Sequence, residues 1–317
     1  MSEPSPRREG ATLFGWPALR AKAARPTRRR LYGLLALMLV IWSTNYIFAK
    51  LAVREMPALW VVCLRTVLSG LFMWPLYTTV RRPGDPRLRA WSSKDVPKLL
   101  TVGVLGIVGN QLLFVWALSK TSVAHGAIVG ALSPVLVLLG SASAGLERLT
   151  PRKITGMVAA ALGVAVIQLG RSGSGTAAPL GDLIMLGSSA LFSAFSVLGK
   201  KLAAEFGTFT VNAFAFMGGG LLALPFAALG FWHAPSHISL VAWSGVLYMS
   251  IFPSIFGYLI YAYALRYLPA SRVASVSYLQ PICATLLAVL LLHELPGVAF
   301  AGGAALVLGG VWVAQVR

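Results

Sequence analysis

The chain has 317 residues, of which 57% are hydrophobic and only 11% charged, with a mean hydropathy of +0.76. That balance excludes an ordinary soluble globular protein. A net charge of +18 would suit a nucleic-acid partner, but the basic residues gather in a tail and in short joints between apolar runs, the pattern of a membrane protein with basic loops on one side.

In chain order, residues 1–30 hold eight Lys or Arg, ending in Arg28-Arg29-Arg30 and opposed only by Glu3 and Glu9. The tail lacks the apolar core and small-residue cleavage site of a secretory signal. It is expected to be a disordered cytoplasmic arm touching anionic lipid head groups, with no nucleic-acid partner. Apolar runs long enough to cross a ~30 Å hydrocarbon layer then recur. The first two fall at residues 31–51 and 58–79, and a joint holding Arg81, Arg82, Arg87, Arg89, Lys94 and Lys98 leads to a third at 99–118. The fourth and fifth fall at 123–142 and 154–169, before a Gly/Ser-rich link at 171–180. A second set follows at 183–202, 211–229, 241–265, 270–291 and 298–316. Cys63 and Cys283 lie inside apolar runs and are read as buried thiols.

The chain repeats itself. Ala117-Leu118 and Ala264-Leu265, Pro134 and Pro281, Glu147 and Glu294, Gly156 and Gly303, Gly163 and Gly310, and Gln168 and Gln315 all stand 147 residues apart. The first two helices of each half register at a spacing of 150, through Ser43/Ser193, Lys50/Lys200, Gly70/Gly220 and Pro75/Pro225. The step belongs in the joint after the second helix, where added length costs little. Such register across a fixed period marks a duplication. An odd number of crossings per copy turns the second copy upside down. The expected fold is an all-α integral membrane protein with ten transmembrane helices, arranged as two five-helix inverted-topology repeats around a central cavity. Its parts are a tail (1–30), a first repeat (31–170), the link (171–180) and a second repeat (181–317). With both termini cytoplasmic, inner segments hold twenty-two Lys or Arg and outer loops only Arg54, Lys120 and Arg171.

Charges inside a bilayer are expensive and point to function. Arg65 lies eight residues beyond Pro57, about 12 Å deep at ~1.5 Å per residue. Its counterpart is Ala215, so the charge suits an anionic group, a gate, or a structural bond to helix-end carbonyls or Asn110. Lys50 sits within a turn of the outer surface, where it can snorkel or act as a charge. Trp42, Asn45 and Tyr46 share one face of the first helix by their i, i+3, i+4 spacing. Asn110 and Phe114 do the same on the third helix, beside Gln111; Tyr258 and Tyr261 hold the matching places of Gln111 and Phe114 on the eighth. Together they suggest a pocket that stacks an apolar or aromatic solute and hydrogen-bonds its polar end, although aromatic stripes also serve plain packing. Pro134 and Pro281 each free a carbonyl four residues back, which serves either a hinge or a static kink.

The energy source is open. All nine acids fall in tails, loops or helix ends, leaving His125 and Lys50 as candidates for a charge or proton role and facilitated diffusion or exchange as the alternative. No His-Glu-x-x-His and no phosphate-binding Gly-rich loop occur, so neither an enzyme nor an ATP-driven pump is expected, and no cofactor or metal.

Several of these pieces form a known pattern. Trp42-Ser43-Thr44-Asn45 with Lys50, Pro57 followed by Arg65, Gly181-Asp182, and in each half a Pro-bearing fourth helix closed by Glu before a Gly-spaced fifth resemble the EamA family of the drug/metabolite transporter superfamily. The resemblance spans residues 31–316. It implies ten helices around a cavity in a bacterial inner membrane, and export of small metabolites, often amino acids or related compounds, by alternating access. An importer or facilitative exchanger of the same fold is the alternative, and a channel a more distant one. Ser43, where many relatives carry Gly, and Phe192, in place of a second Trp, depart from the pattern at positions that bear on the substrate.

Overall fold

The computed structural model describes residues 26–80, 89–146, 148–169, 177–232, 235–268, 279–293 and 298–315, with residues 270, 273 and 276 between them. Most of the basic tail, residues 81–88, Glu147, Glu294 and the start of the link lie outside the described residues. The described segments are helical: α1 (Arg28–Glu55), α2 (Ala58–Val80), α3 (Ser93–Lys120), α4 (Val123–Ser143) and α5 (Pro151–Leu169), then α6 (Ala177–Phe206), α7 (Thr208–Trp232), α8 (Leu240–Tyr267), α9 (Gln280–Leu292) and α10 (Val298–Gln315). Among the described residues there is no strand, and seven helices, α1–α4 and α6–α8, are long and apolar enough to cross a membrane. Their outward side chains are apolar as well, as at Leu183, Leu221 and Leu240, a surface that lipid covers and water would not. The chain is a multi-pass membrane protein.

Local chemistry sets the helix ends. Thr27 caps α1 by accepting the Arg30 amide at 3.3 Å. At the other end Met56, which precedes Pro57, is driven to extended backbone (φ −123°, ψ 143°) and stops the helix. Ser92 and Asp95 form a reciprocal capping box at the start of α3, while Ser122 and Ser239 cap α4 and α8 through the amides of His125 and Ala242.

Most of the close pairings join an early helix to a late one: α5 to α10, α2 to α7, α3 to α6, α1 to α8 and α4 to α9. Without a hydrophobic drive between helices in lipid, close packing must come from small residues. The α5–α10 pair does this with glycines: a Cβ on Gly163 would lie 2.7 Å from the Gly303 carbonyl oxygen, and one on Gly310 2.5 Å from that of Gly156. Two large hydrophobic cores stand out among the described residues. One gathers Ala49, Ala52, Val61, Val115 and Leu118 around the end of α1; the other gathers Leu35, Met38, Met73, Phe216 and Tyr261 around its beginning.

Three helices are broken between these cores. In α3 and α8 a widened π-turn spans Val104–Gly109 and Phe252–Gly257. In α4 the helix halts at Ala131–Leu132 and restarts at Ser133. Such breaks are tolerated in membranes where freed carbonyls find other donors. Pro134 cannot serve the Gly130 carbonyl, and the Ser133 hydroxyl donates to it at 2.7 Å. Pro253 likewise abandons the Met249 carbonyl, and the Ser254 hydroxyl donates to it at 2.8 Å. Neither the π-turns nor the role of Pro253 was expected from the sequence, because turn widening leaves no mark on hydrophobic period.

Candidate functional site

The breaks surround a cavity of about 90 Å³, room for several ordered waters. α1 contributes Trp42, Asn45 and Tyr46; α2 contributes Arg65; α3 contributes Asn110, Gln111 and Phe114; and α8 contributes Pro253 and Tyr258. Eight of the nine residues expected from the sequence to line a cavity therefore line this one. The ninth, Tyr261, is one turn farther along α8 and lies past the cavity floor, where its hydroxyl donates to Ser196 Oγ at 2.9 Å. Sequence reasoning missed Met185, Ser188 and Ser189 on α6, and Ser133 and Gln280 beside the two prolines. Phe192, noted only as a departure from the pattern, also lines the space.

The π-turn of α8 positions two of these side chains. Its Pro253 carbonyl accepts the Trp42 indole N–H at 3.3 Å, and its Ser254 hydroxyl accepts Arg65 Nε at 3.0 Å. The flat indole fits because residue 257 is glycine; a Cβ there would come within 2.3 Å of Trp42 Nε1. Trp42 then packs at 5.8 Å from both Phe192 and Tyr258 and 5.5 Å from Tyr261, ring centre to ring centre, making an aromatic floor. On the opposite wall Tyr46 meets Phe114 edge-on at 4.9 Å.

Polar groups complete the wall. Asn110 Nδ2 donates to the Ser188 carbonyl and hydroxyl at 2.9 and 3.0 Å, the Ser188 hydroxyl returns a bond to the Asn110 carbonyl, and the Tyr258 hydroxyl donates to Asn110 Oδ1 at 3.2 Å. Asn110 is thus committed to holding α3, α6 and α8 together and does not meet Arg65. Arg65 is only 2% exposed, has no carboxylate partner among the described residues, and its Nη1 makes no hydrogen bond. Asn45 Oδ1 is also unpaired, and the buried Gln111 amide, beside the Tyr258 hydroxyl, lacks a well-formed bond. A buried cation and buried amides left unpaired cost free energy. A solute with complementary groups would recover it.

The remaining sequence candidates sit elsewhere. Pro134 and Pro281 open the second part of α4 and the start of α9, and the residues two places before them, Leu132 and Leu279, share one conformation (φ −75°, ψ −13° and φ −80°, ψ −14°). His125 packs its ring 5.6 Å from Phe300 of α10, away from the cavity. Lys50 turns inward, and its ammonium donates to the carbonyls of Leu118 and Thr121 at the end of α3, at 2.9 and 2.7 Å. Cys63 and Cys283 are both unbridged, and among the described residues no group of His, Cys, Asp and Glu could hold a metal.

Comparison with known proteins gives this arrangement a context. The model of the EamA-like transporter family matches residues 30–169 and again residues 179–315. An "Uncharacterized transporter" of Archaeoglobus fulgidus is 28% identical over 291 residues, 90% of this chain and 96% of its own. The "Uncharacterized transporter YetK" of Bacillus subtilis is 23% identical over 90% of this chain and 87% of its own. A "Probable terminal-alkyne amino-acid exporter" of Streptantibioticus cattleyicolor is 26% identical over 75% of this chain and 76% of its own. A protein of known crystal structure superposes with a TM-score of 0.65 at 22% identity, covering 91% of this chain and 97% of its own, which speaks for the fold alone.

Proposed function

The chain belongs to the EamA-like transporter family, and from that premise we propose that it is a secondary transporter exporting a small organic metabolite, an amino acid or close relative, across a bacterial inner membrane. One observation carries this reading: Arg65 lies buried on the cavity wall with a guanidinium nitrogen unpaired and, among the described residues, no carboxylate partner. A guanidinium fork is the natural partner of a carboxylate. The orphaned Asn45 oxygen suits an ammonium or other N–H donor, and Trp42, Phe192 and Phe114 suit an apolar side chain. The name of the Streptantibioticus relative points to the same class of solute.

Alternating access supplies the vectorial step. Ten crossings in two inverted five-helix repeats are supported by the cross-half pairing of helices, by the matched conformations of Leu132 and Leu279, and by paired π-turns in α3 and α8. Both termini then face the cytoplasm, and the basic tail meets anionic lipid. The break before Pro134, where the Ser133 hydroxyl stands in for the backbone donor the proline lacks, is the point at which α4 can bend. Among the described residues no carboxylate or histidine lines the cavity, which favours facilitated diffusion or exchange over proton coupling.

The test is efflux from loaded proteoliposomes across a panel of amino acids, nucleosides and sugars, with and without an imposed pH gradient. Saturable efflux of an amino acid, indifferent to the gradient and lost in Arg65→Ala, is the expected result. No saturable flux of any solute, or Arg65→Ala flux equal to wild type, would overturn it.

A further inference from the structure

The two ends of the molecule differ although their sequences correspond. Beneath the aromatic floor lies a second, larger cavity of about 340 Å³, lined by Lys200, Asn212, Tyr261, Ala262 and Leu265. Their counterparts at spacings of 150 and 147 are Lys50, Val62, Phe114, Val115 and Leu118. At that other end the counterparts Val115 and Leu118 are packed in the core at 0% exposure, whereas Ala262 and Leu265 are only half-buried beside the chamber. The lysines mirror the contrast. Lys50 is spent on the carbonyls of Leu118 and Thr121, which correspond to Leu265 and Leu268. Lys200 makes no hydrogen bond among the described residues and lines the open chamber instead.

We propose that Lys50 and Lys200 are reciprocal latches: Lys50 seals one end by gripping the last carbonyls of α3, while Lys200 stands released and seals the other end, on Leu265 and Leu268 of α8, when Lys50 lets go. The proposal rests on the alternating-access reading above and adds the groups that hold each end. An ammonium fits the task because a helix C-terminus presents unpaired carbonyls and the negative end of the dipole. The Lys50 corner is the better built, since the Thr121 hydroxyl donates to Asp182 at 2.8 Å whereas Tyr32 holds the place equivalent to Asp182. That difference accounts for which end is shut in this structure.

The test uses the full chain with Cys63 and Cys283 replaced by Ser, one reporter cysteine, either Val115→Cys or Ala262→Cys, and a charged, membrane-impermeant maleimide. With both lysines present, Ala262→Cys labels faster than Val115→Cys. Adding Lys50→Met should raise labelling at Val115→Cys and lower it at Ala262→Cys, with the ratio moving about tenfold, equivalent to ~1.4 kcal/mol. Lys200→Met should leave Val115→Cys protected and Ala262→Cys at least as reactive, and Lys50→Arg should keep the original pattern. Lys50→Met labelling that rises at both positions, as in plain loosening, or changes at neither, overturns the latch. Wild-type flux in the liposome assay alongside such a result would leave the transporter reading intact; absence of wild-type flux would sink that reading instead.

Discussion

Arg65 and Arg89 are the same residue put to opposite uses. Arg89 lies at the surface and is held by two carboxylates, Asp95 and Glu205, the latter also shared with Lys98. The hydrogen bond to Asp95, reinforced by both negative charges, holds the Arg89 guanidinium proton above its ordinary range. Arg65 is buried in the middle of the bundle and is offered one serine hydroxyl. Water makes the first site tolerant and its ion pairs weak; burial makes the second costly unless something else completes it. Under the proposed function, a guanidinium left with one nitrogen unpaired in such a place is kept for a solute.

The sharpest way to break that contrast is Arg65→Met. Losing a hydrogen bond from a charged donor is worth about 1.5–3 kcal/mol, so efflux should fall roughly tenfold to a hundredfold. The melting midpoint should hold or rise, because an unpaired buried charge leaves the core. Arg65→Lys should restore little, since a point charge on a flexible stem lacks the planar fork. Wild-type efflux in Arg65→Met would return Arg65 to a packing role.

Pro134→Ala comes next. It restores a backbone donor to the Gly130 carbonyl, makes the Ser133 bond redundant and stiffens the break, so turnover should slow several-fold while solute affinity and folding stay near wild type. Unchanged turnover would leave a static kink. Tyr258→Phe removes the donor to Asn110 Oδ1 at the cavity floor. At about 0.5–1.5 kcal/mol for such a bond, apparent affinity should weaken roughly twofold to tenfold, read as a shift in the concentration for half-maximal efflux. Arg89→Ala should do least. Its ion pairs are exposed, so efflux should match wild type, and any small loss of thermal stability should vanish as salt is raised. A transport defect there would erase the distinction between the two arginines.

Several parts of the candidate site were legible because they rest on spacing. The i, i+3, i+4 pattern that puts Trp42, Asn45 and Tyr46 on one face of α1 is a property of the helix itself, and all three reach the cavity wall. Arg65 announced itself by being a charge in an apolar run. Ser188, Ser189 and Gln280 did not, since small polar residues in membrane helices also satisfy backbone or neighbours, as Ser69 does by bonding the Arg65 and Ser250 carbonyls. Asn110 was legible as a cavity residue but not as the clamp it forms with Ser188 and Tyr258.

Composition and internal register, by themselves, determined that this chain lives in a bilayer and was built by doubling a unit, because apolar length and a fixed period are carried by single residues. What each repeated residue does was decided only by packing. Lys50 and Lys200 occupy equivalent places, yet one grips two carbonyls and the other faces a chamber. Phe114 and Tyr261 are likewise equivalent, yet they line different cavities. Equivalent positions make different contacts once the two halves press against each other, since the partner a side chain finds depends on the neighbours that tertiary packing brings to it.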